Sequence, residues 1–278
     1  MKLGICALVK NENLYLREWV KYHIELGFDK IIIYDNNPVG GEDVSKVILD
    51  YIDMGYVEIH KLEIDINNID ELNNIQTETY NKCLDEHKEL DWIAFIDVDE
   101  FIELEHHAGI KDLFGEYNNY EGYDNIVMCW YAMGDPNSLY YDEHPVFERF
   151  KTHLTGAYGW ENGEPLSING FVKSFVHPQS DARFDGFIHC TNAKHACVPD
   201  GRIAYTDSRT TRLLGECHEV MRLNHYYTKS LTEYLYRCQS NKHKGNFEYA
   251  KYEYTNFNGW TDEHERVFQE FIKRHDNK

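Results

Sequence analysis

Short apolar runs alternate with longer segments of helical period through the first hundred residues, and each run stops at a polar cluster. LGICALV (3–9) ends at Lys10, Asn11, Glu12 and Asn13. NLYLREWVKYHIELG then places Leu16, Trp19, Val20, His23 and Ile24 on one helical face, with Gly27 as the C-cap. KIIIYDNN is a β-branched run closing on Asp35, Asn36 and Asn37; DVSKVILDYIDMG reads as helix and YVEIHKL as strand. NIDELNNIQTETYNKCLDEH has the spacing of a long helix, with Ile69, Leu72, Ile75, Thr79, Tyr80 and Cys83 roughly on one side. The fourth run, WIAFIDVDEF, drives into three carboxylates: Asp97, Asp99 and Glu100. This alternation predicts parallel strands joined by right-handed crossovers, an α/β, Rossmann-like half.

In an open parallel sheet, ligands bind beyond the carboxyl ends of the strands. Three polar clusters, at residues 10–12, 35–37 and 97–100, are therefore expected on one edge. No GxGxxG follows the first run and no GxxxxGK[ST] occurs anywhere, so neither a dinucleotide fingerprint nor a P-loop is supported. Residues i and i+2 of an extended segment point the same way, which would let Asp97 and Asp99 share one cation. Hard Mg²⁺ or Mn²⁺ takes one or two protein carboxylates together with substrate phosphates. An Asp-x-Asp alone is common in an acidic chain; its place after a buried strand gives it weight.

Composition narrows the partners. A formal net charge of −20 argues against nucleic acid while leaving room for a local phosphate pocket. The 21 Tyr and 5 Trp suit stacking on pyranose faces, or Tyr standing in for Phe. Seven cysteines without a CxxC pair read as reduced thiols in an intracellular protein. No apolar run reaches the roughly 18 residues of a membrane span, and the N-terminus does not read as a signal peptide. A soluble, cytoplasmic protein is expected, with at most a peripheral contact at the cytoplasmic face of a membrane.

KNENLYLREWVKYHIELGFDKIIIYDN with WIAFIDVDEFI resembles the N-terminal half of family 92-type glycosyltransferases and their family 2-like bacterial relatives. VMCWYAMG, FVKSFVHP and MRLNHYYTKSLTEYLYRCQSNKHKG resemble later motifs of that family in the same order, so the likeness spans roughly residues 3–245. The resemblance implies a GT-A fold, a nucleotide-sugar donor, Mn²⁺ or Mg²⁺, and inversion at the anomeric carbon. The expected reaction is transfer of a UDP-hexose, galactose by family likeness, to a glycan or lipid-linked acceptor in polysaccharide assembly. The resemblance further implies that Asp99 binds the metal directly and that Asp97 binds ribose or reaches the metal through water. Lys10, Asn11 and Glu12 match a first nucleotide-contacting loop, and Asp35 matches the end of the second strand, where base and ribose sit. Glu12 could equally be a helix-start acid and Asp35 a turn former.

His225, in LNHYYTKS, is expected to complete the metal shell, as a C-terminal histidine does in metal-dependent GT-A enzymes, with Lys229 on the diphosphate. His189 or His195 could take His225's place; His177 belongs to the same stretch, in which Lys173 and Arg183 supply positive charge suited to a phosphate. His60, His87, His106, His107, His243 and His264 read as scattered, satisfied or exposed histidines. A base for the acceptor hydroxyl is sought among Asp135, Glu148 and Asp185, with Asp135 in the loop after VMCW. Met133 stands where the family has an aromatic.

The expected organisation is a catalytic domain over 1–228, divided into a nucleotide-sugar half (about 1–104) and an acceptor half (about 105–228), followed by packed helices over 229–278. Leu231, Tyr234, Leu235 and Cys238 form one apolar face there, and Val267, Phe268, Phe271 and Ile272 another. Lys273, Arg274 and His275 gather at the end, too sparse for a polybasic membrane anchor. A nucleotidyl- or phosphotransferase would need a Gly-rich, basic loop after the first strand, and a non-catalytic carbohydrate-binding protein would not need an intact DVDE.

Overall fold

A computed structural model of the chain describes residues 1–62, 64, 69–155, 157–161, 164–189, 191–204, 217–240 and 247–275. Strand and helix alternate as β1 (Leu3–Val9), α1 (Asn13–Leu26), β2 (Lys30–Asp35), α2 (Val44–Val47), α3 (Leu49–Asp53), β3 (Val57–Lys61), α4 (Ile69–Glu86) and β4 (Trp92–Phe95). There follow β5 (Glu100–Leu104), α5 (Ile110–Glu116), β6 (Asn125–Gly134), α6 (Val146–Arg149), β7 (Thr152–His153), β8 (Ala157–Glu161) and β9 (Glu164–Ser167). The chain continues through β10 (Val172–Val176), β11 (Ala196–Cys197), β12 (Ile203–Ala204) and β13 (Met221–His225) to α7 (Leu231–Ser240), α8 (Phe247–Asn258) and α9 (Asp262–His275). The single helix expected over 43–55 is two short ones, α2 and α3, parted at Ile48.

Two compact units form, one from Met1–Trp130 with Gly170–Leu223, the other from Tyr131–Asn169 with Asn224–Lys278. The change-over falls inside β6 and β13 rather than at the boundary expected after residue 228. No linker marks it in the sequence, because the chain leaves one unit and enters the other within continuous strands.

The first unit is built on a sheet of order β12-β11-β6-β10-β4-β1-β2-β3. β4, β1, β2 and β3 run parallel, with Cys6 beside Phe95 and Ile32, and Ile33 beside Ile59. β10 enters antiparallel between β4 and β6. The α/β class read from the alternation is therefore present, with one half of the sheet parallel. Cys6, Ile32, Tyr34, Ile93 and Phe95 pack with Tyr80, Cys83 and Leu84 of α4. The alternate residues Ile5, Ala7, Ile31 and Ile33 are buried too, so both sheet faces are covered, which is why the strands read as unbroken apolar runs. Gly4 permits the close approach after α4: a Cβ there would lie 2.6 Å from Leu90 Cδ1.

Helix α1 buries Tyr15, Leu16, Trp19, Val20 and His23 and ends at Gly27 in the left-handed conformation, φ 111°, as its spacing predicts. Its buried face grips β5. Trp19 Nε1 donates to the Glu100 carbonyl at 2.8 Å, Tyr22 Oη to the Ile102 carbonyl at 2.8 Å, and His23 Nε2 accepts from the Ile102 amide at 3.4 Å.

In the second unit, the apolar faces expected of the C-terminal helices meet in one cluster. Leu231, Tyr234, Leu235 and Cys238 of α7 pack with Ala250 and Tyr254 of α8 and with Val267, Phe268 and Phe271 of α9. Arg149 forks onto Glu233 at 2.9 and 3.0 Å, both side chains being buried. No helix among the described residues is long and apolar enough to cross a membrane.

Candidate functional site

Strand β4 stops at Phe95, and the next four residues turn before β5 begins at Glu100. Asp97 and Asp99 thus sit in a turn, not in the extended segment that the i, i+2 argument assumed. The turn closes on itself: the Glu100 amide donates to the Asp97 carbonyl at 3.1 Å, and the Asp97 amide donates to Glu100 Oε2 at 2.8 Å. Since α1 holds the Glu100 carbonyl through Trp19, the turn's second leg is anchored in the core. Asp99 is buried, whereas the Asp97 side chain is 36% exposed.

Lys173 comes from β10, whose register sets Ser174 beside Phe95 and so brings Lys173 alongside the start of the turn. Its side chain has no exposure; Nζ lies 2.7 Å from Asp97 Oδ2 and 3.8 Å from Glu100 Oε1. Burial works against the Lys173 charge, but Asp97 and Glu100 outweigh it and carry the ammonium above its ordinary value. Burial pushes the Glu100 carboxyl well above the usual carboxylate range; Lys173 opposes this, and the nearby Asp97 and Asp99 add to it. The carboxyl groups of Asp97, Glu100 and Asp99 thus act together on one ammonium. With more acidic groups than ammonium, the turn is left net negative.

The parallel registers bring the other two polar clusters to the same edge. The Asn36 amide donates to the Val9 carbonyl at 2.9 Å, the Ile96 amide to the Cys6 carbonyl at 3.3 Å, and the Asn11 amide to Asn37 Oδ1 at 2.8 Å. Asn11 itself has φ 58°, a conformation asparagine tolerates better than most residues. Asp35 is buried and structural: it accepts from the Asn37 amide at 2.9 Å, from Asn37 Nδ2 at 2.7 Å and from Lys61 Nζ at 2.9 Å. Lys61 is a cation at this edge that sequence reasoning missed, because nothing in YVEIHKL marks it. Glu12 is the N-cap residue of α1 without a side-chain capping bond; Lys10 is exposed. The Asn13 amide is taken by Glu42 Oε2 at 2.8 Å, so this loop is not a phosphate cradle of the P-loop kind.

Other expected site residues fall elsewhere. Arg183 spends its guanidinium on the Ser180 and Ala182 carbonyls and on Asp85, at 3.1, 2.7 and 2.9 Å, so the phosphate charge expected of it goes to structure. Asp185 is exposed in the same loop of the first unit. His189 Nδ1 lies 2.9 Å from the Val172 carbonyl, and exposed His195 lies 3.3 Å from Asp124. Asp135, Glu148, His225 and Lys229 belong to the second unit. Asp135 Oδ1 accepts from the Asn137 amide at 2.9 Å, just beyond β6; Glu148 is exposed on α6; His225 and Lys229 are buried, Lys229 with φ 50°. His243 lies outside the described residues.

The family model of glycosyltransferase family 92 matches residues 2–178, more than half of the chain. The chain belongs to this family. A family 92 protein of Ricinus communis is 31% identical over 119 residues, which cover 42% of this chain and 20% of that protein. One from Arabidopsis thaliana is 27% identical over 147 residues, covering 50% of this chain and 24% of that protein. The match therefore spans only about a fifth to a quarter of these relatives' length. Among solved structures, S. aureus TarS 1-349 shares 13% identity at a TM-score of 0.41, covering 100% of this chain and 72% of that one. Its complex with UDP-GlcNAc shares 15% at 0.42, covering 100% and 73%. Family membership accounts for the motif order along the chain and agrees with the α/β class described above.

Proposed function

We propose that this family 92 chain transfers a hexose from a UDP-linked donor to a glycan or lipid-linked acceptor, with inversion. The observation that carries the reading is the Asp97–Asp99 turn at the carboxyl edge of a parallel sheet, in a chain of this family. The residues there fit the divalent cation the family implies: a buried aspartate, a partly exposed one, and a net negative turn whose lysine is already paired. Asp99 and Asp97 would hold that cation, of the Mn²⁺ or Mg²⁺ kind, which when bound neutralises charge on the leaving diphosphate. Lys173 fixes the Asp97 carboxylate from beneath, so it positions a ligand rather than touching the nucleotide. Asp35 likewise holds Asn37 and Lys61, leaving Lys10 and Asn11 as the outward groups for base and ribose. Asp185 and Asp135 are the two carboxylates proposed to take the acceptor's proton.

Thermal melts with UDP, GDP and CMP, each with and without Mn²⁺, test the donor class; UDP with Mn²⁺ should raise the melting temperature most. No shift with any nucleotide would overturn the reading. Release of UDP from a panel of UDP-hexoses, compared between Asp185→Asn and Asp135→Asn, assigns the base to whichever loses kcat with KM unchanged.

A further inference from the structure

Edge strand β3 carries a second cluster, outside the turn. Glu58 and His60 stand two apart on β3 and so share a sheet face, the face on which α4 packs; His87 follows the last turn of α4. One nitrogen of each imidazole and one oxygen of Glu58 lie within 4.8 Å of one another. His60 Nε2 faces Glu58 Oε1 at 2.8 Å without the geometry of a hydrogen bond. Ligand atoms about 2.0–2.1 Å from a tetrahedral zinc are themselves about 3.3 Å apart, so this pair would open by about half an ångström to take the ion. His87 is 4% exposed; its Nδ1 lies 3.3 Å from Glu89 Oε1, and its Nε2 is buried with no hydrogen-bond partner among the described residues. The ring of Tyr34 stacks on His60, centroids 4.9 Å apart, and fixes its plane. Lys30 Nζ holds the other oxygen of Glu58 at 2.5 Å, which leaves Oε1 turned toward the imidazoles.

Buried imidazoles cost stability unless their nitrogens are satisfied. Two neutral imidazoles and a carboxylate are a donor set for a borderline ion, whereas Mg²⁺ and Mn²⁺ favour oxygen ligands. We propose that Glu58, His60 and His87 bind one divalent cation of the zinc class, with water in the fourth position and Glu89 orienting His87. The ion ties the end of α4 to the sheet's edge strand. Sequence reading passed over both histidines because a whole helix separates them.

Cobalt(II) reports the site directly, since four- and five-coordinate Co²⁺ absorbs visible light far more strongly than the octahedral ion expected at carboxylates. Titrating the metal-free chain with Co²⁺ should give an intense visible spectrum saturating at one ion per chain and displaced by equimolar Zn²⁺. The spectrum should survive Asp99→Asn and disappear in His60→Gln and in His87→Gln. Glu89→Gln should weaken binding by about 10–100-fold. Zn²⁺ should raise the melting temperature of the parent and of Asp99→Asn but not of either histidine variant; if one variant fails to fold, the other carries the test. A chain with no intense spectrum, one that keeps it in a folded histidine variant, or one showing thiolate charge-transfer bands would overturn the proposal.

Discussion

Lys173, wholly enclosed on β10, sets its ammonium 2.7 Å from an Asp97 carboxylate that is itself partly open to water. A buried cation needs a close counter-charge, and here that partner is one of the two aspartates proposed to hold the metal. Stability and the proposed metal site therefore meet in one ion pair. Removing one partner of a buried pair costs about 3–5 kcal/mol, and the solvent exposure of Asp97 puts the expected loss for Lys173→Met near about 3 kcal/mol. The double variant Lys173→Met with Asp97→Asn should recover part of that. Urea denaturation of the four proteins checks it; additive losses would mean the pair is not coupled.

Asp97 and Asp99 should separate functionally. Calorimetric titration with UDP should show at least a tenfold loss of Mn²⁺-dependent affinity, about 1.4 kcal/mol, in Asp99→Asn. Asp97→Asn should lose less, since its carboxylate is already engaged by Lys173. Equal losses would assign direct coordination to both, and affinity unchanged by EDTA would remove the metal from the proposal.

Glu100 gives a pH signature. Its folded pKa lies above the 4.5 of an unperturbed glutamate, so its contribution to stability is fully present below that value and is lost as pH rises toward the folded pKa. Glu100→Gln mimics the protonated form and escapes this loss. The variant's melting temperature relative to the parent should be higher at pH 8 than at pH 5; a constant difference would show that Glu100 is ionised in the folded protein.

His23 tilts stability the other way. Burial lowers its pKa from 6.5 to about 3, although the Trp19 carbonyl on Nδ1 works to raise it. The unfolded chain then takes up a proton between those values while the folded chain does not. Stability should fall as pH drops below 6.5, this group adding up to about 1.4 kcal/mol per pH unit. Urea denaturation at pH 7 and pH 5 should show a shallower fall for His23→Gln than for the parent; parallel falls would place the acid sensitivity elsewhere.

The alternation of apolar runs and helical segments was enough to read β1 through β4, the buried face of α1, its Gly27 cap and the apolar faces of α7 and α9. Each of these follows from contacts or turn chemistry within about twenty residues, where periodicity and steric preference are written directly into the chain. The polar ends of β1, β2 and β4 could be placed on one edge for the same reason, given parallel strands. Tertiary structure decided what those ends do. It put Asp97 and Asp99 in a turn, drew Lys173 from 76 residues away onto Asp97, turned Asp35 inward onto Asn37 and Lys61, and parted the chain into units inside β6 and β13. It also brought His87 to Glu58 and His60 across the length of α4. Pairings of that separation are chosen by sheet order and register, which depend on the whole buried surface at once and leave no local period to read.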